Sequence, residues 1–164
     1  MIRAASASDI PAIISMGRLM HAESPRYRGM DFDPERVRAL AEHCIGDGTV
    51  VVAEADVTGL DDMGRDATSR EKVGMAAISP CFRFFNNDTY YADLIVYLLP
   101  DYRRGRLAAG LVEAVEAIAG RNGGGELVLG VTTGVANEQV ARLYERLGYH
   151  RVGVVMAKDI QPNA

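Results

Sequence analysis

One stretch near the middle of the chain restricts the fold most, because it is apolar on both faces. Tyr90–Leu99 consists almost entirely of aliphatic and aromatic residues, without the apolar–polar alternation of a half-exposed strand. A strand of this kind belongs in the middle of a sheet whose two faces are both covered. The sequence therefore predicts a central strand here, in a fold where helices flank a sheet.

The rest of the chain alternates between helical and strand patterns, and 164 residues without a break in composition indicate one domain, residues 1–164. The predicted element order is β-α-α-β-β-β-α-β-α-β. The helices are predicted from a Ser8 or Asp9 cap, from Pro34, over Arg106–Ala119 and over Asn137–Leu147, and the strands over Ile2–Ala4, Thr49–Ala55, Lys72–Ser79 (ended by Pro80), Tyr90–Leu99, Glu126–Val131 and Tyr149–Met156. The polar segment Val57–Glu71 is typical of an exposed loop or a long hairpin.

Charge and composition exclude several functions. The net charge of −4 and the pI near 5.4 make the chain a poor general binder of polyanions, so we expect no nucleic-acid partner. No apolar run approaches the roughly 20 residues of a membrane span. Arg3 and Asp9 interrupt any signal-peptide core, so we expect a cytoplasmic protein. Cys44 and Cys81 are too few for a four-cysteine zinc site. We expect buried free thiols, with a single disulfide as the open alternative.

A turn after the central strand has the pattern of an anion site. Pro100 ends the strand, and an Arg/Gly segment then leads into a helix. The first amides of a helix have no internal partner, and the helix dipole adds partial positive charge there, which suits a phosphate or diphosphate. Gly105 would let the backbone approach such a ligand, with Arg103, Arg104 and Arg106 adding positive charge and Ala108 and Ala109 keeping the first turn slim. The alternative is a solvated basic turn before an ordinary helix.

A second segment, Asn137–Tyr149, combines a capping residue with an aromatic residue two turns later. Asn137 is predicted to cap the helix, and Tyr144 lies seven residues on, on the same face. Both side chains could therefore line one cleft. The alternative makes Tyr144 a core aromatic and Asn137 only a cap.

Taken together, the two segments resemble the signature of the GCN5-related N-acetyltransferase (GNAT) family. In that family a strand ends in Val-x-Pro, a Gln/Arg-x-x-Gly-x-Gly/Ala loop opens a helix, and Asn, Leu-Tyr and Gly-Phe follow. The matching residues here are Leu98-Leu99-Pro100, Arg103-Arg104-Gly105-Arg106-Leu107-Ala108, Asn137, Leu143-Tyr144 and Gly148-Tyr149. One position departs from the pattern, because Arg106 stands where the family usually has its first glycine.

The resemblance implies a fold and a ligand. The fold is α/β (α+β), with a mixed, mostly antiparallel sheet of six to seven strands, about four flanking helices and a splay at the central strands. The ligand is acetyl-CoA as acyl donor, with no metal, and a homodimer is expected. Backbone groups of Val96 and Leu98 would pair with the pantetheine arm, and amides of residues 104–109 would hold the diphosphate. The implied cofactor-binding residues are Val96, Tyr97, Leu98, Arg103, Arg104, Gly105, Arg106, Leu107, Ala108, Ala109, Asn137 and Tyr144.

The resemblance also implies catalytic roles. Tyr144 would act as general acid toward the coenzyme A thiolate, whose thiol resembles that of cysteine, with a pKa of about 8.5. Family members with a carboxylate base place it about six residues before the Val of Val-x-Pro, which here is Ala92. Asp93 is adjacent, but a one-residue offset in a strand points to the other face unless a bulge restores it.

Other residues are candidates for the acceptor site. His21 and Glu23 end the first helix, where the family often forms the wall of this site, and histidine exchanges protons near neutral pH. Glu23, Tyr27 and Arg28 could shape acceptor specificity. Phe82, Phe84 and Phe85 are interpreted as core or interface aromatics.

The expected function is acetyl-CoA-dependent transfer of an acetyl group to a primary amine of a small molecule or protein. The alternative is a non-catalytic acyl-CoA-binding regulatory module, which Arg106 and the missing carboxylate at position 92 suggest. An acetyltransferase toxin acting on charged transfer RNA is disfavoured, since such an enzyme should carry a broad basic face.

Overall fold

The computed structural model describes residues 1–60 and 65–160. Its described part contains five strands in one sheet, four α-helices and two short 3-10 turns, Ala7–Asp9 and Pro100–Tyr102. The strands are β1 (Ile2–Ala4), β2 (Val50–Leu60), β3 (Asp66–Phe82), β4 (Thr89–Leu98) and β5 (Leu127–Val128). The helices are α1 (Ile10–Glu23), α2 (Pro34–Gly46), α3 (Leu107–Arg121) and α4 (Asn137–Arg146).

The sheet has the order β1-β2-β3-β4-β5, with antiparallel pairing up to β4 and parallel pairing between β4 and β5. This confirms the predicted mixed, mostly antiparallel sheet. The described residues form five strands rather than six to seven, partly because the strand predicted over Tyr149–Met156 does not form. That segment pairs with no strand in the described part, and Val152, Val154, Val155 and Met156 are exposed. The pairing of β5 is also shorter than predicted.

The hairpin of β2 and β3 resolves one alternative and corrects one prediction. The polar segment after Ala55 extends both strands, so of the two predicted alternatives it forms the long hairpin and not the exposed loop. Pro80 lies inside β3 rather than ending it, and faces Tyr91 of β4. Pairing with β2 stops at Ala77, so Pro80 lies where β3 has a partner strand on one side only. A residue without an N–H is tolerated at such an edge.

Both faces of β4 are covered, as its apolar sequence predicts. Tyr91 and Leu98 belong to a core cluster with Leu111 and Val115 of α3. Tyr97 belongs to a second cluster, on the side of α1 and α2. The central strand is therefore held between two helical layers, which fixes the position of its carboxyl end.

A buried ion network ties the amino terminus to the sheet. The Asp9 carboxylate is fully buried and binds the Arg3 guanidinium through two bonds of 2.7 and 2.9 Å. The same guanidinium donates to Glu54 at 2.6 Å, and the Ser6 amide and hydroxyl donate to Asp9 at 2.9 Å. These donors hold the pKa of Asp9 far below the usual carboxyl range, with Arg3 as the largest cause, although burial opposes them. Lys72 Nζ lies 3.8 Å from Asp9 Oδ1, so two cations, Arg3 and Lys72, face the two carboxylates of this network.

The structure corrects two predictions about which side chains are buried. Cys44 is buried, Cys81 is half-buried, and both are free thiols, so no disulfide joins them. Phe82, Phe84 and Phe85 are exposed, which rules out the core interpretation.

Over residues 1–60 and 65–160, no helix has the length and apolar character needed to cross a bilayer. The same residues contain no cluster of three or more side chains suited to a metal ion.

Candidate active site

A bulge in β4 determines where Asp93 points. The antiparallel register pairs Ala77 with Ile95 but Ile78 with Asp93, so Leu94 is an extra residue on β4. An extra residue reverses the alternation of side chains beyond it. The bulge that the sequence left open is therefore present, and Asp93 joins the residues that line a cavity with Tyr144.

The strands β4 and β5 separate directly beside this bulge. They pair only at Tyr91–Ala92 with Leu127–Val128, and beyond this point no described strand lies on that side of β4. The Leu99 amide donates to the Val73 carbonyl at 2.9 Å, and hydrogen-bonded positions alternate along an antiparallel ladder. Val96 and Leu98 therefore direct their backbone groups away from β3, into the opening.

Tyr97, the predicted cofactor-binding residue between Val96 and Leu98, has a different orientation. By the same alternation, the backbone groups of Tyr97 face Met75 of β3. Its ring is buried in the core, and the Arg103 guanidinium lies 5.5 Å from the ring centroid.

The turn before α3 presents a row of free amides. Gly105 has a φ of +123°, a conformation that side chains other than glycine rarely adopt. Within the described part of the chain, the main-chain N–H groups of residues 104–109 donate no hydrogen bond, and the first helical bond comes from Gly110 to Arg106 at 2.9 Å. Arg104 and Arg106 are exposed, and neither forms an ion pair with a described residue. The arrangement is that of an anion site at a helix start.

Arg103 does not extend into this turn. Its guanidinium forms a bidentate ion pair with Glu23 at the end of α1, with Nη2 2.5 Å from Oε2. Its Nε donates to the Leu98 carbonyl at 2.9 Å. This pairing lowers the pKa of Glu23. Arg103 therefore joins α1 to the end of β4, so its charge is already compensated.

Asp93 and Tyr144 share a cavity of about 110 Å³ beside the strand opening. The cavity is enclosed by the end of α1, the bulged part of β4, the segment after β5 and the inner face of α4. Its lining residues are Met20, Tyr27, Asp93, Leu94, Ile95, Val96, Gly130, Val131, Thr132, Thr133, Val140 and Tyr144. A carboxylate and a phenol therefore face one small space, next to the free backbone edge of β4.

The Asp93 carboxylate accepts a hydrogen bond from the Gly130 amide, which lies 2.7 Å from Oδ1. Burial raises the pKa of Asp93, while the bonds from the main-chain amides of Gly130 and of Asp93 itself oppose that rise. No described side chain donates to this carboxylate. Asp93 is thus a carboxylate that is more basic than usual and that no described cation neutralises.

The Tyr144 side chain is buried, and its ring lies 5.8 Å from that of Tyr149. Its hydroxyl forms no hydrogen bond with a described residue. Burial, and next the negative charge of Asp93, raise the pKa of Tyr144, so the phenol keeps its proton at neutral pH. A protonated donor and an unprotonated acceptor can therefore coexist in this cavity.

Asn137 has a different position from the predicted one. Ala136, in the left-handed conformation at φ 50°, caps α4, and Asn137 is the first helical residue. Its Oδ1 accepts from the Gly134 amide at 3.1 Å, so it orders the loop before α4. Asn137 is exposed and does not line the cavity with Tyr144, although both belong to α4.

The other acceptor-site candidates divide between two positions. Tyr27 lines the cavity, and its hydroxyl lies 3.4 Å from the Thr132 hydroxyl. His21 lines a neighbouring cavity instead, and Arg28 is exposed. Sequence reasoning missed Ser24, which is fully buried and donates to the Thr133 carbonyl at 2.5 Å. It also missed Gly130, because a backbone donor far along the chain leaves no local signal.

Comparisons with known proteins agree with this geometry. The sequence model of the Acetyltransferase (GNAT) family matches residues 19–149. A search of curated protein sequences gives no match to the chain.

Similar solved structures include an acetyltransferase of Trypanosoma brucei, with 18% identity and a TM-score of 0.64, covering 98% of this chain and 99% of that one. An aminoglycoside 6'-N-acetyltransferase of Acinetobacter baumannii has 17% identity, a TM-score of 0.63 and 99% coverage of both chains. A ribosomal-protein-alanine N-acetyltransferase of Brucella melitensis has 17% identity and a TM-score of 0.61, covering 98% and 99%. At such identities the likeness concerns the fold. Because the family match spans most of the sequence and the fold agrees with it, the chain belongs to the GNAT family of acetyltransferases.

Proposed function

We propose that the protein transfers an acetyl group from acetyl-CoA to a primary amine, by direct attack of the amine on the thioester. The observation that carries this proposal is the shared cavity of Asp93 and Tyr144, which opens beside the free edge of β4. The family match supports an acetyltransferase, and the two side chains supply the proton acceptor and donor that the reaction needs.

The acyl donor fits the backbone groups of β4 and of the turn before α3. The backbone groups of Val96 and the Leu98 amide suit the amide-rich pantetheine arm, which would lie along β4 like an added strand, while the Leu98 carbonyl already accepts from Arg103 Nε. The unbonded amides of residues 104–109 suit the diphosphate, with exposed Arg104 and Arg106 beside it. Arg106 then supplies charge where the family usually has glycine, and Gly105 supplies the unusual backbone conformation.

Asp93 acts as the general base in this proposal. A lysine-like amine with a pKa of about 10.4 is neutral only about once in 2,500 molecules at pH 7, and deprotonation costs roughly 4.6 kcal/mol. The raised pKa of Asp93 reduces the difference between its own pKa and that of the amine, so this carboxylate accepts the proton more readily than an ordinary one. The Gly130 amide holds one carboxylate oxygen, which leaves the other to face the amine.

Tyr144 acts as the general acid. Its hydroxyl donates to the sulfur as the carbon–sulfur bond breaks, and its raised pKa keeps it protonated until that moment. The protonated amine loses two protons in all, and Asp93 accepts the first and releases it to solvent before the amine attacks. Asp93 then accepts the second from the nitrogen that has attacked, and because it lines the same cavity, this proton can return to Tyr144, which has given its own to the sulfur. The two groups thus end the cycle in the states in which they began it.

The role of Tyr144 is tested by Tyr144→Phe, which removes only the hydroxyl. We expect kcat to fall at least about tenfold, with the Kd for acetyl-CoA changed less than about twofold. The measurements are thiol release with an amine panel and calorimetric titration with acetyl-CoA. Tyr149→Phe is the matched control, because its ring lies against Tyr144 outside the cavity lining. An unchanged kcat in Tyr144→Phe would reduce Tyr144 to a packing residue.

The same titration separates the alternative, a non-catalytic acyl-CoA-binding module. That alternative predicts heat on adding acetyl-CoA but no thiol release with any amine. The cavity with Asp93 and Tyr144 favours the enzyme, because a pure binding module needs no proton donor and acceptor in one space.

A substitution in the turn tests the diphosphate position. Gly105→Val forces a β-branched residue into a φ of +123°, so the turn must rearrange and its amides lose their common direction. We expect the Kd for acetyl-CoA to rise at least about tenfold. Gly120→Val is the control, since Gly120 lies in α3 without a positive φ and has open space around it. Equal affinities of the two variants would place the diphosphate elsewhere.

A homodimer remains part of the proposal. Phe82, Phe84 and Phe85 are exposed around the end of β3, and exposed apolar groups of this size are typical of surfaces that a partner covers. Light scattering during size-exclusion chromatography measures the mass directly. A mass of 17.7 kDa across micromolar concentrations would exclude the dimer.

A further inference from the structure

A second cavity, larger than the first, lies between the two amino-terminal helices and the sheet. Its volume is about 240 Å³, and its lining is almost wholly apolar. Leu40 and Cys44 of α2 form one wall, and Met75 of β3 forms its floor. The cavity opens to solvent, since Met30, Leu40 and Leu94 of its lining are exposed, and a concave apolar surface of this size is suited to a ligand.

This apolar cavity adjoins the one that holds Asp93 and Tyr144. Four residues line both spaces: Met20, Tyr27, Leu94 and Ile95. Leu94 is the bulge residue itself, so the distortion that turns Asp93 toward Tyr144 also shapes the wall between the cavities. A molecule whose amine lies at Asp93 would therefore have its remaining part beside the apolar space.

Two polar residues, His21 and Asp31, lie among the apolar residues that line this cavity. His21 Nε2 is shielded from solvent, and its ring lies edge-on to Phe32 at 5.4 Å, so this nitrogen does not face the open space. Asp31 is exposed to solvent. The surface that the cavity offers to a ligand is therefore almost wholly apolar.

We propose that the acceptor is a primary amine whose apolar arm occupies this cavity. The proposal rests on the proposed function and adds the substrate class. A cavity of about 150 Å³ holds benzene, so 240 Å³ admits an arm of roughly ten non-hydrogen atoms. Polyamines and aminoglycosides fit less well, because the one carboxylate of the lining, Asp31, is exposed to solvent, and their other charged or hydroxylated parts would lose water without gaining partners.

The first test compares acceptors by kcat/KM for thiol release. Along unbranched amines from propylamine to heptylamine, we expect a rise of about fourfold per methylene until the cavity is full. Spermidine and kanamycin should lie at least about tenfold below heptylamine. A flat series, or a preference for the two polar amines, would overturn the apolar arm while leaving acetyl transfer intact. If acetyl-CoA binds but no amine in the panel is acetylated, the proposed function fails together with this inference.

A cavity-filling variant locates the effect. Gly17 lines the apolar cavity from α1, and an added Cβ there meets Phe32 and Val37 at ordinary contact distances of 3.7 and 3.8 Å. Gly17→Leu should lower the ratio of kcat/KM for heptylamine to that for propylamine at least about tenfold. Gly120→Leu, the same change at an exposed position of α3, should leave that ratio unchanged. If the chain-length series survives in Gly17→Leu, the arm lies elsewhere; Gly17→Ala repeats the test with a smaller side chain if the leucine variant does not fold.

Discussion

The substitution Asp93→Asn is expected to lower kcat by about 10²- to 10⁴-fold, the usual contribution of a general base. Asparagine keeps the shape of the side chain and an oxygen that can accept from the Gly130 amide, now 2.7 Å from Asp93 Oδ1. It cannot accept the proton of the amine. Thiol release with an amine acceptor measures kcat, and calorimetry should find the Kd for acetyl-CoA changed less than about twofold. Asp56→Asn, in the exposed β2–β3 hairpin, is the control.

The same variant has an expected signature in stability. Because burial raises the pKa of Asp93, the charged carboxylate destabilises the folded state at neutral pH. Asp93→Asn should therefore raise Tm at pH 7, and the gain should vanish as the pH falls below the ordinary aspartate range, where both side chains are neutral. In the wild type, kcat/KM should fall on the acid side at a pH above that range. Full turnover in Asp93→Asn would assign the base to another group.

The second large effect concerns the buried network at the amino terminus. Asp9→Ala is expected to lower the free energy of unfolding by about 3–5 kcal/mol, because it removes the buried carboxylate that accepts from Arg3 and Ser6 and leaves Glu54 as the remaining partner of Arg3. Urea denaturation at pH 7 measures the change. Asp56→Ala is the matched control, since the Asp56–Arg70 pair is exposed and should contribute no more than about 1 kcal/mol. Similar losses in both variants would show that the buried network contributes no more stability than an exposed ion pair.

The wild-type network also predicts acid sensitivity. The pKa of Asp9 lies below its value in the unfolded chain, so its contribution to stability is complete above the ordinary aspartate range and is lost as the pH falls through that range and below it. Asp9→Ala should therefore show a weaker loss of stability between about pH 5 and pH 2. A parallel loss in wild type and variant would assign the acid sensitivity to other carboxylates.

Much of the fold follows from local patterns. The apolar run of β4 required a covered central strand, and packing on both of its faces confirms it. The turn before α3 was readable because a proline, a glycine and a helix start act within a few residues of one another. The strand predicted over Tyr149–Met156 does not form, which shows the limit of local patterns. A strand needs a partner strand, and the apolar pattern of one segment does not tell which other segment it would pair with.

Only part of the candidate site could be predicted from the sequence. Asp93 and Tyr144 were both predicted, but their common cavity depends on the extra residue Leu94, and nothing in the sequence distinguishes a bulge from a regular strand. Arg103 was assigned to the ligand because of its place in the motif. The structure pairs it with Glu23 instead, a carboxylate brought close only by the packing of α1.

By itself, the amino-acid sequence determined the four helices, most of the strands, the glycine turn with its free amides and the family, because each depends on residues that are near neighbours along the chain or fixed by a motif. Only the tertiary structure decided that Asp93 faces Tyr144, that Gly130 holds its carboxylate and that an apolar cavity adjoins theirs. Those contacts join segments far apart in sequence, and their geometry depends on one bulge and on how two helices pack over the sheet.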